Sequence, residues 1–279
     1  MKRVSTVRLR ILLLFILFTC VGNAGHCQNS KQDATSPNII ELTKGCRLVL
    51  NANINPADSV SIEIVKGIQN ILPRVQQLIP ADSVLIELAI SNENILPVWG
   101  IGSRTTSGYT NGHRVETVEM YYDPNHVNFK VELILHGLTH ELHHACRVRM
   151  PNFQLTLLEC MVNEGLADHF MTELFHCGIT PWGSALTEEQ ILQNMIRVKP
   201  LLRVKFQSWT TEFDENYFKK WMFGRPETEQ IPGWTGYSIG WKIVENYLKA
   251  HPEAKASSLV FTSPEIIVSE TPELIADNK

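Results

Sequence analysis

Apolar positions recur at helical spacing over residues 58–79, where Val60, Ile64, Ile68, Ile71, Leu72, Val75 and Leu78 form one stripe. The stripe opens at Asp58, a helix-capping residue, and closes near Pro80. The period then changes. Val84-Leu85-Ile86-Glu87-Leu88-Ala89-Ile90 is short, rich in branched residues and bounded by turn formers, which predicts a strand. The mixed pattern of residues 39–49 reads as a further strand. Asn111-Gly112 is a strong hairpin turn ahead of a strand around 118–122, and Gly100, Gly102 and Gly108 punctuate the segment before it. Beyond Asp123-Pro124, residues 128–149, 155–176, 187–204, 212–223 and 238–250 all carry helical patterns. A mixed α/β half therefore runs into a helical half, with no repeat and no long linker. The expected class is α+β: one domain over 39–279, with an α/β lobe at 39–125 and a helical lobe at 126–279.

The beginning of the chain obeys different rules. Residues 1–10 are basic, residues 11–18 are wholly apolar, and small residues follow at Gly22, Ala24 and Gly25. This is the three-part layout of a secretory signal over residues 1–24, with cleavage after Ala24. The apolar run is about half of the roughly 20 residues that a spanning helix needs, so no stable membrane span is expected. Leu17-Phe18-Thr19-Cys20 is a weaker match to a lipidation box, which would anchor the protein through Cys20. Residues 25–38 are polar and read as a flexible tether.

Composition supports a globular chain: 279 residues, 44% hydrophobic and 19% charged. The formal charge is -4, and leaving out Lys2, Arg3, Arg8 and Arg10 of the leader brings the rest to -8. That balance excludes a general nucleic-acid binder. Of six cysteines, Cys27, Cys46, Cys146, Cys160 and Cys177 lie beyond the leader. An odd number in an exported chain leaves at least one unpaired or lipidated, and Cys146 with Cys160 is a candidate bridge between neighbouring segments. There is no C-x-x-C pair.

Chemistry concentrates in the helical half. His140-Glu141-Leu142-His143-His144 is an H-E-x-x-H inside a predicted helix. Positions four apart lie one above the other, so His140 and His144 can present two imidazoles to one metal ion. Glu141, one step round the helix, can reach a water at that metal without ligating it. His136 offers another four-residue frame with His140, but only the 140/144 frame has a Glu directly after its first His. Nineteen residues separate His144 from Glu164, which lies in Asn163-Glu164-Gly165-Leu166-Ala167-Asp168. Glu164 and Asp168 share a helix face; one can ligate metal while the other receives the free ring N–H of a ligand histidine. His113, His169 and His176 rank lower, and His169 is turned about 100° from the metal-facing side.

Residues 136–168 resemble the gluzincin group of zinc metallopeptidases, in which H-E-x-x-H is followed by a Glu ligand in an N-E-x-x-x-D context. More closely, His140 to Ala145, Glu164 to Asp168, and Gly236-Tyr237-Ser238-Ile239-Gly240 resemble a bacterial family of predicted zinc-dependent proteases catalogued as a domain of unknown function. The resemblance spans residues 100–250. It implies a zincin-like fold, with a small sheet packed on the active-site helix and a helical lobe completing the cleft. It also implies Zn²⁺ held by His140, His144 and Glu164, with Glu141 as general base and Asp168 orienting a ligand imidazole. Peptidases of this kind need a donor for the tetrahedral oxyanion, and Tyr237 is the candidate. Residues 99–108 offer an edge strand for an extended peptide, with an ordinary scaffold hairpin as the competing reading.

The expectation is an exported metallopeptidase acting on a peptide or protein substrate, periplasmic or extracellular. The alternatives are a zincin-like binding protein without catalysis, and a zinc hydrolase of non-peptide substrates. The presence of Glu141 favours catalysis over binding.

Overall fold

The computed structural model describes residues 38–90, 106–110, 117–205, 212–224 and 230–275. The leader with Cys20, the tether up to residue 37 with Cys27, residues 99–105, the Asn111-Gly112 turn and His113 lie outside the described residues; Asn38, expected in the tether, begins the first strand.

The α/β part forms a five-stranded mixed sheet in the order β1-β2-β3-β5-β4. Its strands are β1 (Asn38–Glu41), β2 (Arg47–Leu50), β3 (Leu85–Ile90), β4 (Thr106–Thr110) and β5 (Thr117–Tyr122). The central three run parallel, and β1 and β4 pair antiparallel on the two flanks. Register stacks Leu48, Ile86 and Val118 in one row and Leu50, Leu88 and Met120 in another. All six are buried, because alternate residues of a strand point to the same face. The segment 39–49, read as one strand, is two. Lys44 (φ 48°) and Gly45 (φ 75°) turn the chain back, and a left-handed pair of this kind cannot continue a strand.

Helix α1 (Ser59–Leu78) covers the buried face of the sheet. The Asp58 carboxylate accepts from the amides of Val60 (3.0 Å) and Ser61 (3.2 Å), as its capping chemistry requires. Pro73 lies on the exposed side of α1, where its missing N–H costs least. Helix α2 (Val131–Arg147) packs beside α1 on the same face and is buried at every position from Leu138 to Arg147. Charged side chains on a helix buried all round need partners. Those partners come from α3 (Leu157–Phe175), capped by Thr156 and closed by His176 in the left-handed region (φ 52°).

Among the described residues the chain continues with α4 (Glu188–Val198), α5 (Glu212–Phe223), α6 (Thr235–Ala250) and α7 (Pro264–Val268). Helix α4 starts in a capping box between Thr187 and Gln190. It ends six residues before the expected 204, because Pro200 converts the chain to a short 3₁₀ turn at Lys199–Leu201. Helix α6 begins three residues earlier than its periodicity suggested, after Trp234 at φ 64°. The 3₁₀ turns and α7 beyond residue 250 are too short to show a period, although α7 opens on a Ser263 cap followed by Pro264.

Buried apolar side chains form two clusters. One joins the sheet, α1 and α2; the other joins the N-terminal half of α3 with α4, α5, α6 and α7. Cys146 belongs to the first and Cys160 to the second, and both are free thiols, so the candidate bridge between them is not made. Burial pushes the Cys146 thiol up to about 12, in keeping with an apolar filler. Where the clusters meet, Arg147 Nε donates to Glu159 Oε1 at 2.7 Å. The same guanidinium donates through Nη1 to the carbonyls of Val260 (3.1 Å) and Thr262 (3.0 Å), tying α2, α3 and the C-terminal segment together.

Candidate metal centre

Arg147 meets Glu159 near one end of α2, and His140 meets Asp168 two turns away, so α3 returns antiparallel to α2. That return places four side chains on one seam. His140 Nε2 and His144 Nε2 are 2.9 Å apart, with the rings edge to face at 86°. Glu164 Oε2 stands 3.1 Å from His140 Nε2 and 3.4 Å from His144 Nε2. Asp168, one turn further along α3, holds Oδ1 3.0 Å from His140 Nδ1. All four residues are buried.

The chemistry of these atoms fits a cation. Asp168 accepts, so His140 Nδ1 carries the ring hydrogen and Nε2 presents a lone pair. That lone pair faces a second imidazole nitrogen and a carboxylate oxygen across a triangle of 2.9, 3.1 and 3.4 Å. With His144 Nε2 likewise unprotonated, three acceptors lie this close and repel unless a positive charge sits among them. Ligands of tetrahedral zinc, at about 2.0–2.2 Å from the ion, stand roughly 3.3 Å from one another. The triangle has those dimensions.

Without a cation, a proton takes its place. Burial alone would lower the affinity of His140 for a proton, but the hydrogen bonds and charges of Asp168 and Glu164 outweigh it and hold the imidazole well above its usual range. Burial would raise the Glu164 carboxyl. The His144 and His140 charges and hydrogen bonds hold it far below the ordinary carboxylate range instead. Glu141 is different. Burial dominates and raises its carboxyl, against the pull of His144 and His140. Metal-ligating atoms of His140, Glu141 and His144 all lie within 4.8 Å of one another. Thr110 Oγ1 on β4 stands 3.0 Å from the Glu141 carbonyl oxygen and 3.2 Å from its Oε2. The outer strand can lie this close because of Gly108, where a Cβ would come within 2.8 Å of Glu141 Cγ.

A family model described as "Predicted Zn-dependent protease (DUF2268)" matches residues 100–269, more than half of the chain. The chain belongs to this family. Among curated proteins it is similar to the "Uncharacterized protein YjaZ" of Bacillus subtilis (strain 168), at 31% identity over 128 residues. That match covers 44% of this chain and 45% of the relative, so it spans about half the length of that protein. Among solved structures, an aminopeptidase N family protein from Idiomarina loihiensis is 14% identical with a TM-score of 0.44, covering 87% of this chain and 42% of its own.

Within the family match the remaining candidates separate cleanly. His169 turns from the site, as its place on α3 requires, and stacks on Trp241 at 3.8 Å with Nε2 3.2 Å from the Trp241 carbonyl. His136 packs on Phe175 with the rings tilted by 57° and 4.3 Å between centroids, and faces Glu132 at 3.5 Å. His176 closes α3. Tyr237, on the first turn of α6, packs on Trp234 (5.0 Å) and Phe223 (5.8 Å). Sequence reasoning missed three residues. Thr180 Oγ1 donates to Asp168 Oδ2 at 2.8 Å, Trp182 Nε1 donates to Asp168 Oδ1 at 3.0 Å, and Thr110 reaches Glu141. Each comes from a loop or an edge strand, where no periodic pattern marks it.

Proposed function

We propose that this protein is an exported zinc metallopeptidase, with Zn²⁺ held by His140, His144 and Glu164. The observation that carries the reading is the convergence of His140 Nε2, His144 Nε2 and Glu164 Oε2 beside the Glu141 carboxyl. Bound there, zinc supplies a Lewis acid that polarises a carbonyl and acidifies water. The protein's own residues do the rest. Asp168 keeps the His140 hydrogen on Nδ1 and Nε2 free to ligate. Glu141, whose burial raises its affinity for protons, takes a proton from the attacking water and delivers it to the leaving amine. Tyr237 is the proposed donor to the oxyanion, supported by its place at the start of a helix packed on α3.

Strand β4 ends the described sheet order next to Glu141, which suits an extended peptide pairing along it. No helix among the described residues is long and apolar enough to cross a membrane. Export rests on the leader of residues 1–24, with lipid anchoring through Cys20 as a variant of the same route. The test is Glu141→Gln in the full chain, with metal content and cleavage of an unfolded protein measured side by side. The variant should retain one zinc per chain and lose about 100-fold or more of the cleavage rate. Equal inertness of parent and variant against a broad peptide mixture would support a binding protein instead.

A further inference from the structure

We propose that the loop carrying Thr180 and Trp182 is a clamp that sets how tightly the centre holds zinc, acting through Asp168 on His140. This rests on the zinc reading above. Asp168 is wholly buried, and both of its oxygens are engaged. Oδ1 faces the His140 Nδ1 hydrogen at 3.0 Å and also accepts from Trp182 Nε1 at 3.0 Å; Oδ2 accepts from Thr180 Oγ1 at 2.8 Å. A carboxylate held at one oxygen can swing about its side-chain torsion. Held at both, it cannot turn without breaking hydrogen bonds to both oxygens in a site closed to bulk solvent.

The loop is built to aim those donors. The Gly183 amide donates to Thr180 Oγ1 at 3.0 Å, so the hydroxyl's own hydrogen is directed at Asp168. A Cβ at Gly183 would come within 2.8 Å of that same Oγ1, so a side chain there would displace the hydroxyl. The Thr180 carbonyl accepts from the amide (3.0 Å) and hydroxyl (2.9 Å) of Ser184, which closes the turn on itself. The Trp182 carbonyl accepts from Ser238 Oγ at 2.9 Å, fixing the loop to the first turn of α6. Thr180 and Trp182 act on Asp168, which is not itself a proposed ligand. They are positioning residues: by fixing Asp168 they keep the His140 ring in one tautomer and one orientation.

The test uses the full chain with zinc as the probe. Zinc dissociation constants are measured by chelator competition for the parent, Thr180→Val, Trp182→Phe, the double variant, Thr180→Ser and Asp168→Asn. Melting temperatures are taken with and without zinc. Each single loss should weaken zinc about 10-fold and the double more, within the 10–100-fold range typical of groups that orient ligands. Thr180→Ser, which restores the hydroxyl, should return to the parent value. The cobalt-loaded form should change its visible absorption in Thr180→Val but not in Thr180→Ser. The clamp is overturned if the singles and the double bind zinc within twofold of the parent while Asp168→Asn does not. It is equally overturned if the variants lower the melting temperature alike with and without zinc at unchanged affinity, which marks a packing role. A parent that binds no zinc removes the proposed function, and the clamp with it.

Discussion

His140 and His143 stand three residues apart on α2, both buried, yet their partners give them opposite electrostatic fates. Asp168 and Glu164 raise the first. The second is pushed well below the usual histidine range by burial and then by the charges of His144, Arg147 and His140. Neither ring nitrogen of His143 has a hydrogen-bond partner among the described residues, and its ring lies against Phe170 at 5.6 Å. A buried polar group without a partner contributes little that an apolar side chain would not. His143→Leu should therefore retain one zinc per chain and change stability by no more than about 1 kcal/mol, as read by metal analysis and denaturant unfolding. Loss of zinc in that variant would show that the ligand frame is not 140/144. The helix itself offers two four-residue histidine spacings, 136/140 and 140/144. Glu141 favours the second, and α3 places Glu164 beside both of its imidazoles.

At the scale of elements, the crossing of α3 and α6 decides how close the start of α6 comes to the metal seam. A Cβ at Gly165 would strike the Gly240 carbonyl, and one at Gly240 would strike the Met161 carbonyl, so the two backbones touch where only hydrogen atoms fit between them. Gly165 directly follows Glu164, so a shift at this crossing moves a proposed ligand. Gly240→Ala should destabilise by about 1–3 kcal/mol or more through overpacking, and should weaken zinc binding as well. Gly178, exposed and with nothing within 4 Å of its would-be Cβ, is the control, and Gly178→Ala should leave both quantities unchanged. A tolerated Gly240→Ala would mean that α6 can move away at little cost.

For the whole molecule, the metal seam lies between two apolar clusters, and the charges gathered there link stability to pH and to zinc. In the metal-free protein the raised His140 imidazole is protonated between Asp168 and Glu164. A histidine raised on folding contributes stability that is fully present below its ordinary value of 6.5. That stability is lost as pH rises through the raised value. Zinc held by His140, as proposed, would compete with the same proton and replace its charge. The rise in melting temperature on adding zinc should therefore be larger at pH 8 than at pH 6. Equal or smaller stabilisation at pH 8 would contradict proton–zinc exchange at this site.

Features governed by short-range periodicity were legible without coordinates. Four-residue spacing put His140 above His144 and Glu164 above Asp168, Asp58 marked the start of α1, and a short run of branched residues between turn formers marked β3, because these depend on residues close in the chain. Tertiary structure decided what depends on distant segments meeting. It brought Glu164 within 3.4 Å of both imidazoles, laid Thr110 of the outer strand on Glu141, and closed Thr180 and Trp182 around Asp168. It also split residues 39–49 into two strands at a left-handed turn and sent Cys146 and Cys160 into separate cores. The reason is physical: a helix repeats its own faces from sequence alone, whereas a hydrogen bond between a loop and a helix exists only after both apolar clusters have packed.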